Sequence, residues 1–306
     1  MKKRYRYLTS GLVIVDEVYP YGASQPSFVR LGGGGAYALS AFRLWTDECA
    51  LAAYVGADFG DLFGQWMQAN GCTSECLQVV VDHTSKSHLA YQKNGTYIPL
   101  LYGGRRIGLY TSPNMQLMEP CLHSGLKGVH ILMNGEVSFF EQLNRYRKKY
   151  GFKVGFEIAN PPDAPSVAEM IQEVTSKYID YFSLSFVEAQ QYYPGIRDKQ
   201  DALELCLSLP CPVYFRMGTD GAYMVKDGHA HLTAMVDEFE TADPTGCGNT
   251  STAAAFWALC ENKSIEEIGV IAGITASLNA RSFGLIPVIE PWMRERCVKY
   301  VAEHSR

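Results

Sequence analysis

From about residue 125 onward, the chain alternates short apolar runs with longer segments that have the spacing of helices. The apolar runs predict strands at 128–133, 152–158, 181–184 and 213–217. The other segments predict helices at 138–150, 166–177, 200–209, 249–261, 265–282 and 290–303, with a hairpin at 222–232. Strands that alternate with helices form a mostly parallel sheet covered on both faces. The predicted fold is therefore α/β, with ligands expected at the carboxyl ends of the strands.

The first hundred residues predict a smaller β structure beside this sheet. The alternating stretch 85–104 contains Asn94-Gly95, a strong signal for a hairpin. Together with an irregular excursion at 17–31, this stretch predicts a small β lid on a single domain that covers residues 1–306. Such a lid is able to close over a site or to pair with a second copy of the chain.

Charge and cysteine usage narrow the choice of partners and location. The 306 residues carry a net charge of −5, which argues against a nucleic-acid or anionic-membrane surface. No apolar run approaches the roughly 20 residues needed to cross a bilayer. The nine cysteines follow no pattern of metal ligands or disulfides, which indicates reduced thiols and a cytoplasmic protein.

The stretch from Thr241 to Asn249 leads directly into a helix of small residues. The backbone N–H groups of Gly246, Cys247 and Gly248 are predicted to turn toward one point. The first turn of the helix adds unpaired N–H groups and the positive end of its dipole. This arrangement binds a phosphate or a developing anion without a cationic side chain. Asn249 is expected at the mouth of this anion hole.

Two places in the first sixty residues predict further ligand contacts. Residues 7–15 predict a buried strand that ends at Asp16, so this carboxylate is expected where open α/β sheets contact ligands. A run of four glycines that includes Gly33 and Gly34 lets the backbone approach a ligand closely. The run also fits a dinucleotide fingerprint with Asp58 downstream, a weak match that stays open as an alternative.

Across nearly the whole chain, these motifs resemble in order those of the ribokinase-like carbohydrate kinases, the PfkB family. The family's C-terminal signature, Asp-Thr-x-Gly-Ala-Gly-Asp, is similar to Asp243–Asn249. Its N-terminal glycine pair with a following Asn is similar to Gly32–Tyr37. The other similar segments are Asp16, Val55–Gly60, Ser185–Glu188 (for the family's Asn-x-x-Glu) and Arg216–Gly221 (for its Thr-x-Gly-x-x-Gly).

The resemblance implies a ribokinase-like fold and an ATP-dependent phosphotransferase that acts on a hydroxyl group of a sugar, nucleoside or related small molecule. It implies ATP and Mg²⁺ as cofactors and leaves a monovalent cation as an option. The implied catalytic residues are Asn249 at the base position and Gly246, Cys247 and Gly248 in the anion hole. The implied substrate-binding residues are Asp16, Gly33, Gly34 and Tyr37. The implied nucleotide-binding residues are Ser185, Glu188, Arg216, Gly218, Gly221 and Gly273, of which Glu188 also orders Mg²⁺ indirectly.

Four side chains depart from the family pattern. Asn249 stands where the family has its catalytic Asp, and an amide does not accept a proton at neutral pH. Ser185, Arg216 and Tyr37 replace the family's Asn, Thr and Asn. Asp243 is open as a substitute base, as an anchor of its loop or as a ligand of a cation on the far side.

The sequence therefore leaves three functions open. The first is a kinase, in which Asn249→Asp is expected to raise the rate. The second is a catalytically impaired family member that binds nucleotide or a phosphorylated ligand as a sensor or partner subunit. The third is a different reaction on the same scaffold. A homodimer that forms through the lid is a further implication of the resemblance.

Overall fold

A nine-stranded, mostly parallel sheet forms the centre of the protein. The computed structural model describes residues 5–91, 93, 97–102, 113–133, 135–158 and 164–305. The strands are β1 Tyr7–Ser10, β2 Ile14–Tyr19, β3 Phe28–Gly32, β4 Cys49–Gly56, β5 Leu77–Val81, β6 Lys86–Tyr91, β7 Tyr97–Tyr102, β8 Gly128–Met133, β9 Lys153–Ile158, β10 Tyr181–Ser185, β11 Val213–Arg216, β12 Ala222–Lys226 and β13 His229–Thr233. The main sheet has the order β13-β12-β11-β10-β9-β8-β1-β4-β5. Its neighbours are parallel except for the pairs β11–β12 and β12–β13.

Helices cover both faces of this sheet. They are α1 Gly34–Trp45, α2 Phe59–Ala69, α3 Met115–Met118, α4 Val137–Tyr150, α5 Ala164–Lys177, α6 Phe186–Tyr192, α7 Lys199–Ser208, α8 Cys247–Cys260, α9 Ile265–Ala280 and α10 Pro291–His304. One core lies under α1, α8, α9 and α10, and a second lies under α4, α5, α6 and α7. Successive strand residues point to opposite faces, so Tyr7 belongs to the first core and Leu8 to the second. Among the described helices, none is both long enough and apolar enough to cross a bilayer.

The remaining four strands form a separate small sheet in the order β3-β2-β6-β7. β6 and β7 are an antiparallel hairpin, and β2 runs parallel to β6. This sheet confirms the predicted fold class of an α/β protein with a small β lid. The predicted turn at Asn94-Gly95 and the end of the 85–104 stretch lie outside the described residues.

The prediction of one strand over residues 7–15 is wrong. The chain leaves the main sheet after β1 and enters the lid as β2, so Asp16 lies inside a lid strand rather than at the end of a central one. The reason is the close approach of α1. The N–H of Gly35 donates to the carbonyl of Leu12 at 3.0 Å, and a Cβ at Gly11 would lie 3.1 Å from that same Gly35 nitrogen. The N-terminus of α1 therefore occupies the space into which β1 would continue.

The other predicted elements agree with the structure to within a few residues. Helix α6, which has Ser185 as its N-cap and Glu188 in its first turn, was not predicted. The edge strand β5 and the short helix α3 were not predicted. The excursion at 17–31 contains ordered antiparallel pairing between β2 and β3.

Candidate active site

Helix α8 begins in a glycine turn. Gly246 is its N-cap with a φ of 81°, a left-handed value that suits glycine. The N–H of Cys247 donates to the carbonyl of Pro244 at 3.2 Å. The Cys247 N–H therefore closes the turn, which departs from the predicted convergence of three N–H groups on one point. The N–H groups of Gly248 and Asn249 lie in the first turn of α8, where a helix offers no acceptor, so they can meet an anion.

Asp243 anchors this turn. Its Oδ1 accepts hydrogen bonds from the backbone N–H of Thr245 at 3.0 Å and from the Thr245 hydroxyl at 2.7 Å. Its Oδ2 accepts a hydrogen bond from Nη1 of Arg30. Asp243 is only 2% exposed. A carboxylate that is buried and engaged in this way fixes the loop, which argues against Asp243 as a substitute base.

Glycines bring the N-termini of α1 and α8 together. A side chain at Gly246 would overlap the ring of Tyr37, so this ring packs directly on the turn. A Cβ at Gly34 would lie 3.2 Å from Nδ2 of Asn249. Gly33 is the N-cap of α1 and has a φ of 91°. The two glycine runs of the sequence therefore meet in space.

Asn249 belongs to a buried polar cluster. Its Nδ2 donates a hydrogen bond to Oε1 of Glu157 at 3.0 Å. Nη1 of Arg216 lies 3.3 Å from the same Glu157 oxygen, and Nη2 of Arg216 lies 3.3 Å from Oε2 of Glu188. A side chain at Gly248 would overlap Nη1 of Arg216. A guanidinium therefore stands beside the first turn of α8, held between two carboxylates.

Burial controls the protonation of this cluster. Burial raises the pKa of Glu157 to about 7, with a smaller contribution from Glu188. The charge of Arg216 and the hydrogen bond from Asn249 lower the same pKa, and they offset only part of the effect of burial. Nε2 of His130 lies 3.8 Å from Oε2 of Glu157. Burial lowers the pKa of His130 to about 3, and the Arg216 charge adds to that shift, so its imidazole is neutral.

Ser185 and Glu188 form a capping box at the start of α6. The Ser185 hydroxyl accepts a hydrogen bond from the Glu188 N–H at 3.2 Å, and Oε2 of Glu188 accepts one from the Ser185 N–H at 2.7 Å. This reciprocal pair stabilises the helix start. It also directs Glu188 toward Arg216 at the carboxyl end of β11.

A cavity of about 530 Å³ lies beside the N-terminus of α8. This volume is within the range of pockets for small ligands. The predicted residues that line the cavity are Arg216, Gly218, Gly221, Cys247, Gly248 and Gly273. Its other lining residues include Met235, Val236, Ala276 and Ala280, which are apolar.

Gly273 keeps this cavity open on the side of α9. A Cβ at Gly273 would lie 2.6 Å from Cγ2 of Val236, which is closer than side chains pack. A larger residue at this position would therefore have to displace Val236 or enter the cavity. Gly273, which the resemblance implies to be a nucleotide-binding residue, thus lies in the wall of this cavity.

The predicted substrate side contains a buried chain of charges. Asp16 and Arg30 face each other on β2 and β3, with Nε of Arg30 3.7 Å from Oδ2 of Asp16. The Ser87 hydroxyl donates to Oδ1 of Asp16. Arg30 also pairs with Asp243, and the three charged side chains are at most 5% exposed. Burial raises the pKa of Asp16, while Ser87 and Arg30 lower it.

Most of the predicted site residues come together around α8. Gly34, Tyr37 and Asn249 meet at its first turn, whereas Asp16 is connected to the turn only through Arg30 and Asp243. Three residues of the site were missed, namely Glu157, His130 and Arg30. Glu157 and His130 interrupt otherwise apolar strands, which was an available signal, because charged and polar residues are rarely buried unless they are paired. Nothing near Arg30 in the sequence indicated its burial.

Comparison with known proteins finds relatives of this chain and of its fold. The profile of the pfkB family carbohydrate kinases matches residues 13–292. An uncharacterized protein of Schizosaccharomyces pombe is 24% identical over 330 aligned residues, which cover 92% of this chain and 86% of that protein. The structure of Arabidopsis thaliana ribokinase with ribose and ATP has a TM-score of 0.77 at 18% identity, covering 97% of this chain and 99% of that chain. An Escherichia coli structure solved with ATP and Mg²⁺ has a TM-score of 0.77 at 16% identity, covering 98% of this chain and 100% of that chain.

Proposed function

The chain belongs to the pfkB family of carbohydrate kinases, and from this premise we propose that it transfers the γ-phosphoryl group of ATP to a hydroxyl group of a small molecule. The acceptor is a sugar, a nucleoside or a related compound. In this reaction a bond forms between the acceptor oxygen and the γ-phosphorus, and the bond from that phosphorus to ADP breaks. The hydroxyl proton leaves to water or to a phosphoryl oxygen.

The observation that carries this proposal is the continuity between the cavity and the N-terminus of α8. Gly248 lines the cavity and also lies in the first turn of the helix. A nucleotide with its base among Met235, Val236 and Ala276 would direct its phosphates toward unpaired N–H groups and the positive end of a dipole. Phosphoryl transfer depends mainly on positioning and on stabilisation of charge, and this arrangement supplies both.

Arg216 adds a side-chain cation to this anion site. Its guanidinium borders both Gly248 and the cavity, so we propose that it contacts a phosphate of the nucleotide. The family pattern has Thr at this position, and the substitution adds a positive charge beside the transferred group. An arginine fork recognises phosphate oxygens in a bidentate manner.

The residues around Glu188 fit a hydrated Mg²⁺. Glu188 is a carboxylate beside the Arg216 guanidinium at the carboxyl end of the main sheet, so it can hold waters of the ion. Carboxylate oxygens are ligands that Mg²⁺ accepts while it keeps several waters. When bound, Mg²⁺ would neutralise phosphate charge. A monovalent cation at Asp243 fits less well, because Arg30 already supplies the positive charge there.

Asn249 is proposed to orient the acceptor hydroxyl. Its amide oxygen can accept a hydrogen bond from the hydroxyl, but it does not take up the proton at neutral pH. General base catalysis typically contributes 10²–10⁴-fold to a rate. The enzyme we propose is therefore slower than a family member that carries Asp at this position.

The binding-protein alternative has its own supporting observation. Asp16 is buried against Arg30 and Ser87, so the carboxylate proposed to hold the acceptor already has partners. A protein that binds nucleotide and turns over no acceptor is consistent with that pairing. Nucleotide binding without ADP release, across every acceptor tested, would favour this alternative.

Two assays test the proposal in order. Thermal shift with ATP, ADP, AMP and sugar phosphates should show Mg²⁺-dependent stabilisation by ATP and ADP. ADP release across a panel of sugars and nucleosides should then identify the acceptor. Gly248→Val is expected to abolish the nucleotide shift, because the new side chain would overlap Arg216. Gly195→Val is the matched control, since a Cβ at Gly195 meets no atom within 4 Å.

We also propose, as the resemblance implies, a homodimer that forms through the lid. β3 is an edge strand of the small sheet, and Val29 on it is 54% exposed. An exposed strand edge is able to pair with another chain. A sizing measurement with light scattering tests this point, and a monomer would contradict it.

A further inference from the structure

The side-chain amide of Asn249 has two ends with opposite chemistry. Its Nδ2 only donates hydrogen bonds, and its Oδ1 only accepts them. Nδ2 lies 3.0 Å from Oε1 of Glu157, which belongs to a strand of the main sheet and is 2% exposed. An ionised carboxylate only accepts hydrogen bonds, so it attracts Nδ2 and repels Oδ1. The contact therefore selects one of the two amide orientations.

We infer that Glu157 is a positioning residue that turns Asn249 so that its carbonyl oxygen, rather than its amino group, is presented to the acceptor hydroxyl. The planar amide places Oδ1 on the side of Cγ away from Glu157. A hydroxyl there can donate its hydrogen bond to Oδ1 and hold its oxygen ready to attack. This inference rests on the proposed function, and it assigns a role to a buried acid that the sequence did not single out.

The surroundings of Glu157 hold the carboxylate in place. Nη1 of Arg216 lies 3.3 Å from the same Oε1 that accepts from Asn249. Arg216 is fixed in turn by Glu188. The other titratable groups that face Glu157 are His130 on β8 and Tyr181 on β10. His130 is neutral, so Arg216 is the cation that favours the ionised form of Glu157.

This arrangement changes the expectation for Asn249→Asp. With Asp at 249, two carboxylates would face each other at the position of a 3.0 Å hydrogen bond. Such a pair keeps one proton between its members at neutral pH. The single substitution would therefore not create a free base. Adding Glu157→Gln would supply an amide donor to the new carboxylate and would restore the donor–acceptor match with its polarity reversed.

In the wild type, protonation of Glu157 should weaken the orientation of the Asn249 amide. A protonated carboxyl can donate to Oδ1 of Asn249, which allows the amide to turn its amino group toward the hydroxyl. Turnover should then fall as the solution is made more acidic. The raised pKa of Glu157, about 7, brings this transition near neutral pH. In Glu157→Gln the transition should disappear.

Steady-state kinetics test the positioning role in four proteins. These are the wild type, Asn249→Asp, Glu157→Gln and the double variant, with Glu261→Gln as the control at the far end of α8. The double variant should have a kcat about tenfold or more above that of Asn249→Asp, since a carboxylate base typically contributes at least 10²-fold. Glu157→Gln should lower kcat several-fold and remove the acid limb of the pH profile.

Two kinetic results would overturn the inference. One is an Asn249→Asp variant that is as fast as the double variant. The other is a Glu157→Gln variant that keeps both the wild-type kcat and the wild-type acid limb. Glu261→Gln should match the wild type in kcat and in the acid limb, since it lies outside the site.

A thermal-unfolding cycle on the same four proteins separates this inference from the proposed function. At pH 8, Asn249→Asp should lower the Tm by several degrees, and the added Glu157→Gln should recover most of that loss. If no variant releases ADP, the kinase proposal fails, and the cycle alone decides whether Glu157 orients residue 249. If the Tm changes of the two single variants simply add in the double variant, the inference is overturned even if the protein is a kinase.

Discussion

The two halves of the cleft are built in opposite ways. On the proposed nucleotide side, glycines and small residues leave a cavity of about 530 Å³ beside a helix N-terminus. On the proposed acceptor side, Asp16 and Asp243 both pair with Arg30, and all three side chains are nearly inaccessible. Backbone N–H groups recognise any phosphate, whereas an acceptor must be recognised by side chains. The difference teaches that the first region offers open space and backbone donors to a ligand, whereas the charged side chains of the second region are already engaged with one another.

Removing the central cation of the acceptor side should have the largest effect. Arg30→Met leaves Asp16 and Asp243 buried without a counter-charge, which should reduce the free energy of unfolding by about 3–5 kcal/mol. Urea denaturation measures this change. Arg197→Met is the matched control, because Arg197 pairs with Asp201 at the surface and is 82% exposed. Equal midpoints for the two variants would show that the buried chain is not a structural unit.

The pH dependence of the free energy of unfolding should show whether the pKa of Glu157 is raised in the fold. Its pKa in the fold is raised from 4.5 to about 7, so the fold favours the protonated form. The resulting stabilisation is fully present below about pH 4.5 and is lost as the pH rises through 7, a change of up to about 3 kcal/mol. Relative to Glu157→Gln, the wild type should therefore lose stability between pH 5 and pH 8.

Glu261 is the control for that measurement because its shift has the opposite sign. Burial acts to raise its pKa, but hydrogen bonds from Lys127 and Tyr7 lower it overall. Relative to Glu261→Gln, the wild type should lose stability only as the pH falls through the pKa of Glu261. Urea midpoints at several pH values measure both differences. If the difference in urea midpoint between the wild type and Glu157→Gln does not change with pH, the raised pKa assigned to Glu157 is contradicted.

Filling the cavity tests the nucleotide side directly. Gly273→Leu would push into Val236 and the cavity, so nucleotide affinity should fall about tenfold or more, equivalent to about 1.4 kcal/mol. Calorimetric titration with ADP and Mg²⁺ measures the change. Gly64→Leu on α2 should leave the affinity unchanged, since a Cβ there meets no atom within 4 Å. If Gly273→Leu binds ADP as tightly as the wild type does, the adenine base of the nucleotide does not bind in this cavity.

The smallest expected effect comes from two serines that cap helices, and it tests whether Ser185 also belongs to the site. Ser185→Ala and Ser264→Ala each break a capping box, at the starts of α6 and α9, and each should reduce stability by about 1 kcal/mol. Only Ser185→Ala should also weaken the Mg²⁺-dependent part of the nucleotide thermal shift, because it releases Glu188. Identical nucleotide responses in the two variants would limit Ser185 to capping.

The sequence predicted the scaffold well and the side-chain network poorly. Strand and helix periodicities are local, so residues 128–133 and 138–150 matched β8 and α4 to within one residue. The turn at Gly246 was equally readable, since a left-handed N-cap before small residues depends on few neighbours. The path of Asp16 into the lid depended on a contact with α1, which is distant in sequence. Ser185-x-x-Glu188 has the sequence pattern of a capping box, and this local signal for the start of α6 was missed.

The sequence by itself determined an α/β kinase fold, the two glycine runs and the amide at position 249. Only the tertiary structure decided that Asn249 meets Glu157, 92 positions away in the chain, and that Arg30 joins Asp16 to Asp243. The physical reason is that backbone geometry follows from short-range sterics and periodicity. Buried charges instead take whichever partner the packed fold brings within about 4 Å, where pairing offsets their loss of water.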